Sequence, residues 1–320
     1  MSIERNQHKQ KNFKDFLVKR MEEIDREIEK KNRLLDQKVT KLEKIRKSKV
    51  ILFFSSDAIS KPLVSKIYSK YENLISSPVD RLDVIVDSGG GDIDSTYHLV
   101  MLLRKMSKKG LRFIVPRWAK SAATLLVCGG DEIIMNVTSE IGPLDPQITK
   151  IDENEESEEQ FSPLCIKQVT DYIDQLYKDG KKELADKLVE KIKLYELGDF
   201  MRALTVSPVY IKKILQSRML RDEKEEKIKE VADILTTGFP HHGHCILMDD
   251  AKQIGLKVVT PNKKEWGILW SIWQEYDSTR SLIFEKQRLM SAFVRTSEKE
   301  NPELVALLRS GVVDVKNLKR

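Results

Sequence analysis

Three successive glycines in Asp87-Ser88-Gly89-Gly90-Gly91-Asp92 stand directly after an apolar run and directly before a helical pattern. Glycines there permit positive φ and let backbone N–H groups come close to an oxygen anion. The spacing is not GxGxxG and no Lys-Ser/Thr follows as in a P-loop, so nucleotide binding is disfavoured. From these residues alone, a plain strand-to-helix turn is the alternative. A second segment, Pro116-Arg117-Trp118-Ala119-Lys120-Ser121-Ala122-Ala123-Thr124, puts Ser121 at the first turn of an apolar helix among small residues. That is a nucleophile's setting, with free N–H groups and the positive end of a helix dipole beside it. It is also an N-cap's setting, the commoner role for a serine at this position.

Asp145 lies in Glu140-Ile141-Gly142-Pro143-Leu144-Asp145-Pro146-Gln147, where it either orients a histidine or merely makes an Asp-Pro turn. Three of the five histidines, His241, His242 and His244, fall within four residues of Phe239-Pro240-His241-His242-Gly243-His244. Their spacing in a Gly/Pro loop is not HExxH, and no cysteine or carboxylate pair frames them, which disfavours a metal. Cys128, Cys165 and Cys245 lie far apart without a CxxC pair, against both a disulfide framework and a structural zinc. Buried thiols are the expectation.

The elements that must position these residues follow from periodicity. Val50–Ser56, Leu82–Val86, Leu111–Val115 and Glu132–Met135 are short apolar runs of the buried-strand kind. Helical patterns separate them at Lys61–Leu74, Asp94–Ser107 and Ala122–Cys128. Strand and helix alternating at this spacing predict crossover units and a mainly parallel sheet. Charged helical periodicity occupies Leu164–Glu196 and Ser207–Leu235, a loop-rich stretch covers Thr236–Cys245, and a Trp-bearing helical segment runs from Trp266 to Phe293. Ahead of the strands, Lys14–Arg46 lacks Gly and Pro, and its apolar residues follow a heptad seam broken at Lys31. Such a helix either self-associates or lies on its own domain.

The 320 residues carry 33% charged and 40% hydrophobic side chains, enough for a large core, and no apolar run is long enough to cross a membrane. The N-terminus has no secretory h-region, so a cytoplasmic address is expected. Residues 1–50 hold sixteen Lys/Arg against nine Asp/Glu, a net +7; with the whole chain at +6, the remainder stands at about −1. The basicity therefore belongs to the N-terminal arm, which suits contact with itself, a nucleic acid or a membrane surface. Asp152–Glu159 packs six acidic residues into eight positions and reads as a solvated loop or flexible insertion.

Taken in order, VIVDSGGGDIDSTYHLVMLLRK, FIVPRWAKSAATLLVCGGDEIIM, SEIGPLDPQ and TTGFPHHGHCILMDDAKQIGL resemble the serine dehydrogenase proteinase family of the ClpP/crotonase superfamily, related to signal peptide peptidase A. The likeness runs from about Val50 to Val259. It implies an α/β fold, a ClpP/crotonase-like spiral of ββα units, here with a long N-terminal helix and added C-terminal helices. The domain expectation is 1–48 as a basic amphipathic helix, 49–260 as the peptidase-like domain and 261–320 as a helical extension. By the resemblance, Ser121 is the nucleophile, Asp145 and His242 complete the triad, and Gly90, Gly91 and Ala122 supply oxyanion N–H groups. Gly89 stands where the superfamily usually has proline. Relatives of the signal peptide peptidase group use a Ser-Lys dyad, for which Lys120 and Lys167 are the alternative bases. Peptide or protein substrates, no cofactor and a homo-oligomer are what the resemblance implies. An inactive scaffold that docks through the basic helix is the competing expectation. Acyl-CoA chemistry of the crotonase kind is disfavoured, because it would not need AKSAAT.

Overall fold

The computed structural model describes residues 2–145, 148–152, 157–161, 164–191 and 194–297. The chain divides into two units, the first made of Met1–Leu42 with Gly267–Arg320 and the second of Glu43–Trp266.

Two helices, α1 (Ser2–Arg46) and α10 (Lys263–Ser297), supply the described part of the first unit. Leu17, Val18 and Met21 of α1 pack with Leu289, Met290 and Phe293 of α10. Further along, Arg20 pairs with Glu285, Asp25 with Lys286, and Lys31 and Lys38 both with Glu275. Partner numbers fall as α1 numbers rise, so the two helices run antiparallel. Lys31, the break in the apolar seam, donates to the Ser278 hydroxyl at 2.8 Å as well as to Glu275. The polar position thus has a built partner within the chain.

The second unit is α/β. In chain order it holds β1 (Lys49–Ser55), α2 (Lys61–Ser76), β2 (Val79–Ser88), α3 (Ile93–Lys105), β3 (Ser107–Ile114), β4 (Trp118–Ala119), α4 (Ala122–Val127), β5 (Glu132–Ile134) and β6 (Glu140–Ile141). Then follow β7 (Ile148–Asp152), β8 (Ser157–Phe161), α5 (Leu164–Lys178), α6 (Lys182–Val189), α7 (Leu194–Ser217), α8 (Glu225–Thr237), β9 (Ile246–Leu247), α9 (Met248–Ile254) and β10 (Val258–Val259). The sheet order is β10-β5-β3-β2-β4-β6-β9, with β1 also on β2. All its pairings are parallel except β6 with β9. Every residue of β2 from Leu82 to Ser88 is buried, which is why Val84–Val86 is apolar on both faces rather than alternating, with Asp83 and Asp87 as buried polar exceptions on either side.

This core holds buried carboxylates, Asp83 and Asp87 among them. The Asp83 carboxylate, fully buried, accepts from Arg46 at 2.5 Å, from Arg112 at 2.6 and 3.0 Å, and from the Ser48 hydroxyl at 2.5 Å. Arg46 also bonds Glu265. A buried carboxylate is tolerable only with such partners.

Three expectations are corrected. The acidic stretch Asp152–Glu159 belongs in part to an antiparallel ribbon, β7 with β8, rather than to a structureless loop; residues 153–156 and the side chains of 146–167 lie outside the described residues. The helix expected from Ser207 begins at Leu194 and continues through Pro208. Proline removes one N–H, yet Ile211, Ile214 and Leu215 beyond it are fully buried, and that packing carries the helix on. Lastly, Cys128 is buried as expected but Cys245 is exposed; the side chain of Cys165 lies outside the described residues.

Candidate active site

The glycine turn leaves β2 at its C-terminal end, and the backbone conformation there excludes other residues. Gly90 has φ +103°, and a Cβ would lie 2.7 Å from Lys120 O and 2.9 Å from Ala122 N. At Gly91, with φ +146°, a Cβ would overlap the Ile59 backbone. Gly90 O accepts from Ile59 N at 2.8 Å and Ile59 O accepts from Asp92 N at 2.8 Å, so the turn is clamped to the segment before α2. Gly90 N–H donates to Ser88 Oγ at 3.2 Å. Among the described residues, no hydrogen bond takes the N–H of Gly91. Gly89 is exposed, and a Cβ there meets nothing within 4 Å.

Ser121 sits beside Gly90, between β4 and α4. Its backbone is at φ 52° and ψ −128°, a region that L-residues other than glycine rarely occupy and that costs about 1–3 kcal/mol. Its side chain makes no cap bond to α4, so the N-cap reading is not what the hydroxyl does. Among the described residues that hydroxyl has no hydrogen-bond partner. Ala122 opens α4, and its N–H lacks an intrahelical acceptor as every first-turn donor does. The helix behind it is entirely buried.

Thr124, one turn into α4, was overlooked by sequence reasoning except as a letter in AKSAAT. The single proton of its hydroxyl has two carbonyl acceptors in reach, Ala119 O at 2.9 Å and Gly142 O at 2.8 Å, and the oxygen accepts from Gly142 N at 3.1 Å. With Gly142 N to Ala119 O and Leu144 N to Leu235 O, this fixes the loop after β6 against the serine's helix. A hydroxyl inside an otherwise apolar buried helix was the available signal.

At the end of that loop Asp145, 4% exposed, accepts from His242: Nδ1 lies 2.7 Å from Oδ1. His241 and His244 face each other edge-on with ring centres 5.6 Å apart, and His244 stacks on Phe239. Neither reaches the aspartate, and no group of metal-binding side chains exists among the described residues. Ser121, Ala122, Gly91 and Asp145 line one cleft of about 320 Å³, together with Asp92, Ile93, Asp94, Leu144, Val206 and Ser207. Among the described residues, His242 has Asp145 as its hydrogen-bond partner and no bond to Ser121.

The lysine alternatives are placed differently. Lys120 directs its ammonium to Ile141 O at 3.3 Å and His244 O at 3.4 Å and pairs with Glu140 at 3.6 Å. Glu140 also accepts from the Cys245 thiol at 2.8 Å, and that bond is the main reason the thiol is pushed above its ordinary range. Lys167 belongs to the first turn of α5, and its side chain lies outside the described residues.

No family model matches the chain. An uncharacterized protein of Methanocaldococcus jannaschii is 28% identical over 202 residues, which is 62% of this chain and 61% of that protein. The chain thus spans under two thirds of the length of the curated relatives it matches. Among solved structures, a mutant of the 1510-N membrane-bound stomatin-specific protease is 15% identical, with 68% of this chain and 82% of that one covered and a TM-score of 0.41. The ClpP protease catalytic domain from Plasmodium falciparum is 14% identical, with 66% and 86% covered and a TM-score of 0.35.

Proposed function

We propose that the chain is a serine peptidase whose nucleophile is Ser121, with His242 as general base and Asp145 as its orienting carboxylate. One observation carries the reading: a serine held at positive φ on a helix N-terminus shares a cleft with a buried aspartate that grips an imidazole nitrogen. With Nδ1 donating to Asp145, the tautomer leaves Nε2 free to take a proton. In acylation, Ser121 Oγ attacks the peptide carbonyl as its proton passes to His242 Nε2. The oxyanion is held by the N–H groups of Gly91 and Ala122, with Gly90 shaping the turn that presents the first of them. Collapse expels the amine, which leaves with the proton from His242. Water then repeats the sequence and releases the acid. Histidine must swing to the serine when substrate closes the cleft; catalytic bonds commonly tighten only in the substrate complex.

The second reading is a scaffold of the same fold without turnover, favoured by the absent Ser121–His242 bond. Fluorophosphonate labelling separates the two. The full chain should be labelled and Ser121→Ala should not; an unlabelled full chain supports the scaffold. Assembly as a homo-oligomer, a cytoplasmic address and docking of the basic α1 on a nucleic acid or a membrane surface belong to the same proposal, and sedimentation of the full chain with and without salt tests the assembly.

A further inference from the structure

The walls of the cleft point to the kind of residue it receives. Among the described residues, its charged lining apart from Asp145 consists of Asp92 and Asp94, both exposed, with no lysine, arginine or histidine. Neither carboxylate is spent on a cation: Asp92 caps α3 by accepting from Ser95 N at 2.8 Å, and Asp94 accepts from the Tyr210 hydroxyl at 2.6 Å. In both cases Oδ1 is the engaged atom, and Oδ2 has no hydrogen-bond partner among the described residues. Tyr210 is itself held by stacking on Tyr97, ring centres 4.6 Å apart, so the Asp94 carboxylate has a fixed position.

A second observation comes from α7. Ser207 is 2% exposed and lines the cleft, and its hydroxyl has no hydrogen-bond partner among the described residues. Its oxygen is not sealed from solvent, so it opens onto the cleft, where a ligand's N–H can reach it. Between the carboxylates and this hydroxyl, Ile93, Leu144 and Val206 give apolar wall. Apolar contact for a stem, carboxylates for a cation and a hydroxyl to accept one more N–H describe a long cationic side chain.

We propose that Asp92, Asp94 and Ser207 form a subsite for a lysine or arginine of the peptide substrate, next to the bond that Ser121 attacks. This rests on the peptidase reading for the reaction, while the recognition of the cation stands on the cleft itself. Aspartate recognises either cation, and the lysine and arginine arms of the test distinguish them.

Fluorescein-labelled pentapeptides differing only in a central lysine, arginine, norleucine or glutamate are titrated onto the full chain by anisotropy, and the matching coumarin amides are followed for hydrolysis. The better cationic peptide should bind at least about tenfold more tightly than norleucine, and Asp94→Asn should bring the ratio to within about twofold. Asparagine still accepts from Tyr210, and an unchanged melting temperature verifies that the variant is folded. Norleucine binding as well as lysine and arginine overturns the subsite, as does a cationic preference untouched by Asp94→Asn. A charge preference in binding without cleavage or labelling of Ser121 sustains the subsite and sinks the peptidase reading. Ser121-dependent cleavage without charge preference does the reverse.

Discussion

His242 Nδ1 lies 2.7 Å from Asp145 Oδ1 across 97 residues of chain. The aspartate is almost wholly buried and the histidine is about one-third exposed, so the carboxylate holds the ring by Nδ1 from the protein side. Asp145→Asn should keep the fold and lower peptide hydrolysis by up to about 10⁴-fold, because the amide no longer fixes the donor tautomer. His242→Ala should cost as much, while His241→Ala and His244→Ala should change turnover little. Equal kinetics for Asp145→Asn and the unaltered chain would reduce the aspartate to a turn residue.

Thr124 ties the serine's helix to the loop that bears Asp145. Thr124→Val keeps the volume but removes the acceptor for Gly142 N–H and the one donor that Ala119 O and Gly142 O share, and should destabilise the chain by about 1–3 kcal/mol. Denaturant titration measures this. Fluorophosphonate labelling should slow in the same variant, whereas a threonine that only fills space would leave both unchanged.

Arg46 and Arg112 neutralise the buried Asp83 from two sides. Arg46→Ala leaves that carboxylate and Glu265 short of a partner and should cost about 3–5 kcal/mol. Because Arg46 belongs to the Glu43–Trp266 unit, cutting the chain after residue 48 would remove it together with Ser48. The loss should show as a lower denaturant midpoint with Ser121 still labelled below that midpoint; an unshifted midpoint would mean the pair is dispensable.

Cys245 provides a pH test. Its thiol is held above the ordinary range first by the hydrogen bond to Glu140, with burial adding to the shift and Lys120 opposing it. The thiol form is therefore favoured in the folded chain, and alkylation of Cys245 should accelerate only at pH above the ordinary thiol midpoint. Glu140→Gln should move that rise to lower pH, read by mass mapping after timed iodoacetamide. Cys128, whose thiol burial pushes up to about 12, should stay unmodified until the protein unfolds. An alkylation profile at Cys245 indifferent to Glu140→Gln would show that the bond does not govern the thiol.

The long strands and their crossover helices were legible because burial on both faces writes apolar runs, as in Val84–Val86, and because crossover helices repeat at a regular interval. The two-residue strands β4, β6, β9 and β10 were not, since a pair of residues carries no period. Ser121 announced itself by type and by position at a helix start, and the glycines by composition. The local sequence could not say that Ser121 adopts positive φ: packing of Gly90 against Lys120, Ser121 and Ala122 accompanies that conformation. Nor could it say which of three neighbouring histidines meets Asp145, because that choice depends on how the loop after α8 returns to the end of β6. Lys120 lies next to Ser121 in sequence, but its side chain turns to Glu140. Ser207 looked like a helix start and proved to be a buried hydroxyl facing the cleft. Local spacing encodes dihedral preference and which face is buried. Contacts between distant segments are decided only when the whole chain closes, because their energies depend on neighbours that sequence order does not specify.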